Sequence, residues 1–263
     1  MIVDLPMLAA AAPTTAAATP GENVGFWLGA LGLLALLPFL LTMVTSFAKL
    51  VIVGGILRQA LGTQQVPPTT VITGLALILT LHIMWPVVDA GLTAYEQQPQ
   101  AAGTETLEDL AESFGPPLRE FLRRNTSQTN YDLFLGLREN SAAPPTPPTP
   151  GTEVDPADGV GTIRALAGDL TVLAPAFVLT ELTEAFQIGF LLFVPFLVLD
   201  IVVSNLLLAM GMHMLSPVTV SLPLKLLLFV LIDGWTLIFR GLITGYNVPG
   251  AADIAAAAAG GSP

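Results

Sequence analysis

No cysteine occurs in the 263 residues, which excludes disulfides, thiolate metal sites and cysteine nucleophiles together. Histidine is scarce too: only His82 and His213, far apart, so a histidine-based metal site would need carboxylates to complete it. Basic residues number 9 against 20 acidic ones, a formal net charge of −11. A chain so acidic lacks the basic stripe that neutralises phosphates, and nucleic acid is not an expected partner. Charge of either sign is sparse, at 11% of residues, where a soluble domain carries about a quarter. There is no phosphate-cradling Gly-Lys loop, no His-Glu-x-x-His and no Gly-x-Ser-x-Gly. Nothing in the chain looks like an active site, and neither a cofactor nor an enzymatic activity is expected.

What is abundant is apolar: 53% of the residues are hydrophobic, and they are clustered. Between Glu22 and Lys49 lie 26 residues without a charge, and between Arg58 and Asp89 lie 30. Each run exceeds the roughly 20 residues that cross a bilayer as a helix. A third apolar stretch covers about 186–209 and a fourth about 218–243. The pattern predicts an all-α, membrane-associated fold of four long helices in two hairpins, 24–88 and 185–246. Segment 1–23 has no Lys or Arg and makes at best a weak signal-like leader. Segment 247–263, mostly Ala and Gly at its end, reads as a disordered tail.

The insert between the hairpins, 89–184, has the opposite character, with 15 acids and 5 bases. Leu107, Leu110, Ala111 and Phe114 follow the i, i+3, i+4, i+7 spacing of one helix face. A second short amphipathic stretch lies near 129–139, followed by a proline-rich linker, 143–150, that cannot be helical. Asn125-Thr126-Ser127 matches a glycosylation sequon that chance explains.

The chain also repeats itself. Shifted by 149 residues, Ser46–Ile83 overlays Pro195–Ile232 with 14 identities in 38 positions. The turns match best, Gly62, Pro68, Thr70 and Val71 falling on Gly211, Pro217, Thr219 and Val220. The turn of the first repeat, Gly62 with Pro67 and Pro68, and that of the second therefore face one compartment. Lys49 and Arg58 flank the first turn, and two basic residues favour the cytoplasm there. The acidic insert is then expected on the outer side, with both termini. Asp200, Lys225 and Asp233 stand inside the second pair of apolar runs. Facing lipid, each would cost roughly 2.5–3.5 kcal/mol, so pairing or protein-facing positions are expected. Lys225 and Asp233, eight residues apart, are placed to share one helix side.

At Thr45-Ser46-Phe47-Ala48-Lys49 and from Leu57 through Gly62 to Pro68 the chain resembles the FliP/YscR/SctR family of type III secretion export-gate proteins. The likeness continues through 180–190, Pro195-Phe196-Leu197-Val198-Leu199-Asp200, 207–212, 221–229 and Asp233-Gly234-Trp235, and does not extend over the insert. It implies a core pore-forming subunit in the bacterial inner membrane, conducting unfolded secretion substrates. The partners it implies are further copies of the chain, a pentamer, and two smaller export-gate membrane subunits. It implies as well that the apolar hairpins pack mostly on each other instead of simply spanning the bilayer. By family position, Glu181 and Lys225 match charges that pair between subunits. Met210, Met212, His213 and Met214 match a methionine-rich loop that seals the closed gate. His213 departs from the family's run of methionines, and a ring of imidazolium groups would repel, which predicts a seal leakier in acid. Lys49, Val202-Val203-Ser204-Asn205 and Ser216-Pro217 lean toward the virulence branch over the flagellar one. A small-solute transporter is the alternative from another class. Transporter repeats break their helices at mid-membrane, whereas here Gly and Pro stand in the turns.

Overall fold

The computed structural model describes residues 31, 32, 35, 38, 39, 42–63, 67–97, 107–141, 159–248 and 250. The chain divides into two units, Met1–Leu40 and Leu41–Pro263. The described residues of the first are helical. The leader-like segment 1–23, the proline-rich linker 143–150 and the tail beyond residue 250 lie outside the described residues. In the second unit seven helices follow one another, and no strand occurs among the described residues. They are α1 (Phe47–Ala60), α2 (Thr69–Gln97), α3 (Leu107–Arg124), α4 (Gln128–Ser141), α5 (Gly159–Ala209), α6 (Pro217–Leu231) and α7 (Gly234–Thr244).

The core assembles around α1 and α5, which make the most extensive helix pairing. Lys49 meets Glu181 at one end of the contact, and Gly189 abuts Ile56 about two turns on. Both numbers increase together, so the two helices run parallel. Glycine is required at 189 because a Cβ there would stand 2.3 Å from Ile56 Cδ1. Helices α3 and α4 of the insert pack on the first part of α5, with Phe121 and Leu122 fully buried. The face expected from 107, 110, 111 and 114 is only partly used. Phe114 packs against Gly91 of α2, while Leu110 is exposed and the deep positions are Ser113, Pro117 and Phe121. Two consecutive prolines, Pro116 and Pro117, lie inside α3.

Four long helices is not what the described residues form. Helix α5 has 51 residues and runs without a break through residue 185, where hydropathy placed the start of the second hairpin. The fourth apolar run is two helices, α6 and α7, bent by 60°. Asp233 makes the bend with φ 50° and ψ 52°, and Gly234 follows because a Cβ there would strike the Phe229 ring at 2.2 Å. Hydropathy averages across an Asp-Gly pair, although that dipeptide is a turn signal. Among the described residues, α2 and the Gly168–Ala209 part of α5 are long and apolar enough to cross a membrane, and α6 with α7 makes a third only when the bent pair is taken as one span.

Candidate functional site

Both hairpin turns close in one way. Gly62 has φ +77° and Gly211 φ +72°, a left-handed conformation open to glycine at little cost. Gly62 N–H donates to Gln59 O at 3.0 Å, and Gly211 N–H to Leu208 O at 3.0 Å. At the second turn Met212 N–H also reaches back to Leu207 O at 2.9 Å, completing a Schellman cap. The first turn is laced by Arg58, whose guanidinium donates to Thr69 Oγ1 at 2.8 Å. Pro68 stands just before α2, its carbonyl accepting from Val71 and Ile72, and Pro67 precedes it at the rim. The second turn is bare: Met210, Met212 and His213 are exposed, and Met214 is 100% exposed. None of the four fills a core of this chain.

Lys225 is a buried cation, only 4% exposed, on α6. Its ammonium donates to Asp200 Oδ2 at 2.6 Å and to Ala60 O at 3.2 Å. Ser221 Oγ donates to the other Asp200 oxygen at 2.5 Å. One side chain thus neutralises a carboxylate on α5 and meets the negative end of the α1 dipole. It ties the first repeat's turn to the second repeat's hairpin. Asp233 is not part of this set. It is exposed at the α6–α7 bend, so its contribution is backbone conformation and not a buried charge pair with Lys225.

A second polar cluster was not legible in the sequence. Lys49 of α1 contacts Glu181 Oε1 at 3.1 Å and Glu184 Oε2 at 2.7 Å. Glu181 is 1% exposed, and the Tyr246 hydroxyl donates a very short hydrogen bond to its other oxygen. The Lys49 ammonium also lies 4.2 Å from the Tyr246 ring centroid, a cation–π contact. Burial first, then the adjacent Glu181 charge, push the Tyr246 hydroxyl far above its usual range, so it stays a proton donor. Beside it the Asn125 amide donates to Asn247 O at 3.1 Å, and Asn247 N–H donates to Asn125 Oδ1 at 2.9 Å. The end of the second hairpin is thereby clasped to the insert, and the sequon asparagine serves that contact.

Within one chain Glu181 pairs with Lys49 and Lys225 with Asp200, and a pairing of Glu181 with Lys225 between subunits stays a proposal. One expectation changes: Lys49 is buried in an ion pair, so it is not a free loop charge beside the first turn. No spacing rule marks Tyr246 or Asn247; the one available sign was the cost of leaving Lys49 unpaired in an apolar run. Among the described residues no group of three or more His, Asp or Glu is placed to hold a metal.

The apolar surface is as telling as the polar clusters. Phe190 and Leu191 on α5, Val230 and Leu231 on α6, and Ile78 and Leu81 on α2 are each more exposed than buried. A protein leaves that much large apolar surface uncovered only where lipid or a partner covers it.

Residues 30–242 match the FliP family. Over 219 residues the chain is 42% identical to the Yop proteins translocation protein R of Yersinia pestis, covering 82% of this chain and 94% of that protein. It is 42% identical over 217 residues to the hypersensitivity response secretion protein HrcR of Ralstonia nicotianae, with 81% and 93% covered. The flagellar biosynthetic protein FliP of Pectobacterium carotovorum is 41% identical over 215 residues, with 81% and 75% covered.

Proposed function

The chain belongs to the FliP family, and from that membership we propose that it is a pore-forming subunit of a type III secretion export gate, conducting unfolded proteins across the bacterial inner membrane. Its part is structural, with no chemical step. Copies of the chain form a ring, a pentamer, completed by two smaller membrane subunits of the same system. The acidic insert lies on the periplasmic side, and the two glycine turns point the other way.

The observation that carries this reading is the bare methionine turn at the end of α5. A loop held rigidly at its base by the Gly211 cap, with Met210, Met212 and Met214 uncovered, presents soft side chains to something outside the chain. Methionine has three rotatable bonds and a polarizable sulfur, so copies of the turn facing one another in a ring repack around objects of different width. His213 stands among them and is the weak point of such a seal, since its protonation adds one like charge per copy.

The test joins secretion and leakage. A strain lacking this chain should fail to export a reporter substrate, and the wild-type chain should restore it; the class of substrate lost, virulence or flagellar, identifies the branch. In vesicles holding the assembled gate, ion leakage should rise in mild acid for wild type and stay low for His213→Met. Undiminished export without the chain would overturn the function. Equal leakage of the two proteins at acid and neutral pH would remove His213 from the seal.

A further inference from the structure

Helix α7 presents Trp235, Phe239 and Ile243 at i, i+4 and i+8, one continuous face. Against the first part of that face lies an apolar cavity of about 280 Å³, walled by Leu50 and Gly54 of α1 and Ile72 and Leu79 of α2. A second recess of about 420 Å³ continues along the same helix from Trp235 and Phe239 to Arg240, Ile243 and Thr244. The two share Trp235 and Phe239, whose rings stack with centroids 5.6 Å apart. They make one groove along α7, apolar at one end and carrying a cation at the other. Arg240 is exposed, and its guanidinium has no hydrogen-bond or ion-pair partner among the described residues. No other base follows Lys225 in the chain.

From this juxtaposition we infer that the groove is a binding site for one anionic phospholipid, an acyl chain lying along Trp235 and Phe239 with its phosphate on Arg240. Size favours a lipid over a protein helix. A helix with its side chains is about 10–12 Å across, too thick for a partly open cavity of about 280 Å³, whereas a single hydrocarbon chain is not. Charge decides the headgroup. An otherwise acidic chain offers one free guanidinium at the mouth of the groove, and guanidinium binds phosphate oxygens with charge-assisted, often paired hydrogen bonds. Trp235 beside Arg240 is the pairing found where membrane proteins meet the headgroup layer. The lipid would fill the wedge between α1, α2 and the bent α7, and so hold the 60° bend at Asp233.

The inference needs the chain to be in a membrane, and not that it exports protein, so the two stand or fall by different measurements. The assembled complex, with Trp27 and Trp85 of this chain and every tryptophan of the other subunits replaced by Phe, is placed in phosphatidylcholine nanodiscs. Lipid with brominated acyl chains is then added as either phosphatidylglycerol or phosphatidylcholine. Brominated phosphatidylglycerol should quench Trp235 to saturation at low mole fraction, and brominated phosphatidylcholine only in proportion to its abundance. Arg240→Gln should raise the half-quenching fraction of phosphatidylglycerol by roughly threefold or more, the loss of a charge-assisted contact, and Arg240→Lys by less. Equal quenching by both lipids, or a preference indifferent to Arg240→Gln, would overturn the headgroup site. Absence of quenching by either would overturn the lipid site altogether.

Discussion

At the scale of single residues, three charges decide the interior: Lys225, Glu181 and Glu120. Among the described residues Lys225 is the sole cation beside Asp200, so removing it leaves that carboxylate with Ser221. Breaking a buried pair costs about 3–5 kcal/mol, and somewhat less here because Asp200 keeps about a third of its exposure. Lys225→Met should therefore sharply lower the yield of assembled complex, and adding Asp200→Asn should recover part of it. Adding Glu181→Gln instead should recover none; recovery there would place Glu181 beside Lys225 across a subunit boundary. Glu120 offers a pH test. Desolvation raises its pKa, but hydrogen bonds from Arg124 and Arg123 and their charges win, leaving it below its ordinary 4.5. A carboxylate with a depressed folded pKa contributes stability above its unfolded pKa and loses it as pH falls through the folded one. Glu120→Gln should cost about 1 kcal/mol at neutral pH, and the melting temperatures of mutant and wild type should converge below about pH 4. A gap that persists in acid would mean that Glu120 acts by packing alone.

At the scale of helices, the parallel contact of α1 and α5 rests on the missing side chain at 189. Gly189→Ala drives a methyl into Ile56 and should cost about 1–3 kcal/mol, as overpacked cores do. Ile56→Ala in the same chain should return most of that loss in a thermal melt, because Ile56 supplies all three atoms nearest the new Cβ. If the double mutant is no better than the single, the cause lies elsewhere in α5. The bend between α6 and α7 has a similar local origin. Asp233 adopts the left-handed conformation that few L residues tolerate, and Gly234 admits the Phe229 ring.

At the scale of the whole chain, a 51-residue α5 joins a polar end, gripped by α3 and α4, to an apolar end with most of its face uncovered. At the usual rise it is about 75 Å long, more than twice the hydrocarbon thickness of a bilayer. The insert is thus built onto the same rod as the second hairpin. Its described helices grip α5 directly: the Thr180 hydroxyl accepts from Ser127 N–H at 3.1 Å and Asn130 Nδ2 at 2.9 Å. The proline run is not needed for that grip. Deleting Ala143–Pro150 should leave reporter secretion near the wild-type level, whereas a complete block would give the linker a part in export.

How much of this was written in the sequence differs by kind of interaction. Helix, membrane character, family and the paired Gly62 and Gly211 turns were all legible, because each depends on composition or on residues close together in the chain. Asp200 and Lys225 were recognisable as charges needing partners, since the cost of an ion in apolar surroundings is a property of the residue. Which partner each takes was not. Tyr246 with Ser46, Tyr246 with Glu181, Asn125 with Asn247 and Lys225 with Ala60 join positions 200, 65, 122 and 165 residues apart. No local periodicity encodes such distances; they appear only once α1 and α5 run side by side. Hydropathy likewise sees an apolar run and not its interruption, so the bend at Asp233 and the continuity of α5 past residue 185 were decided by packing in three dimensions.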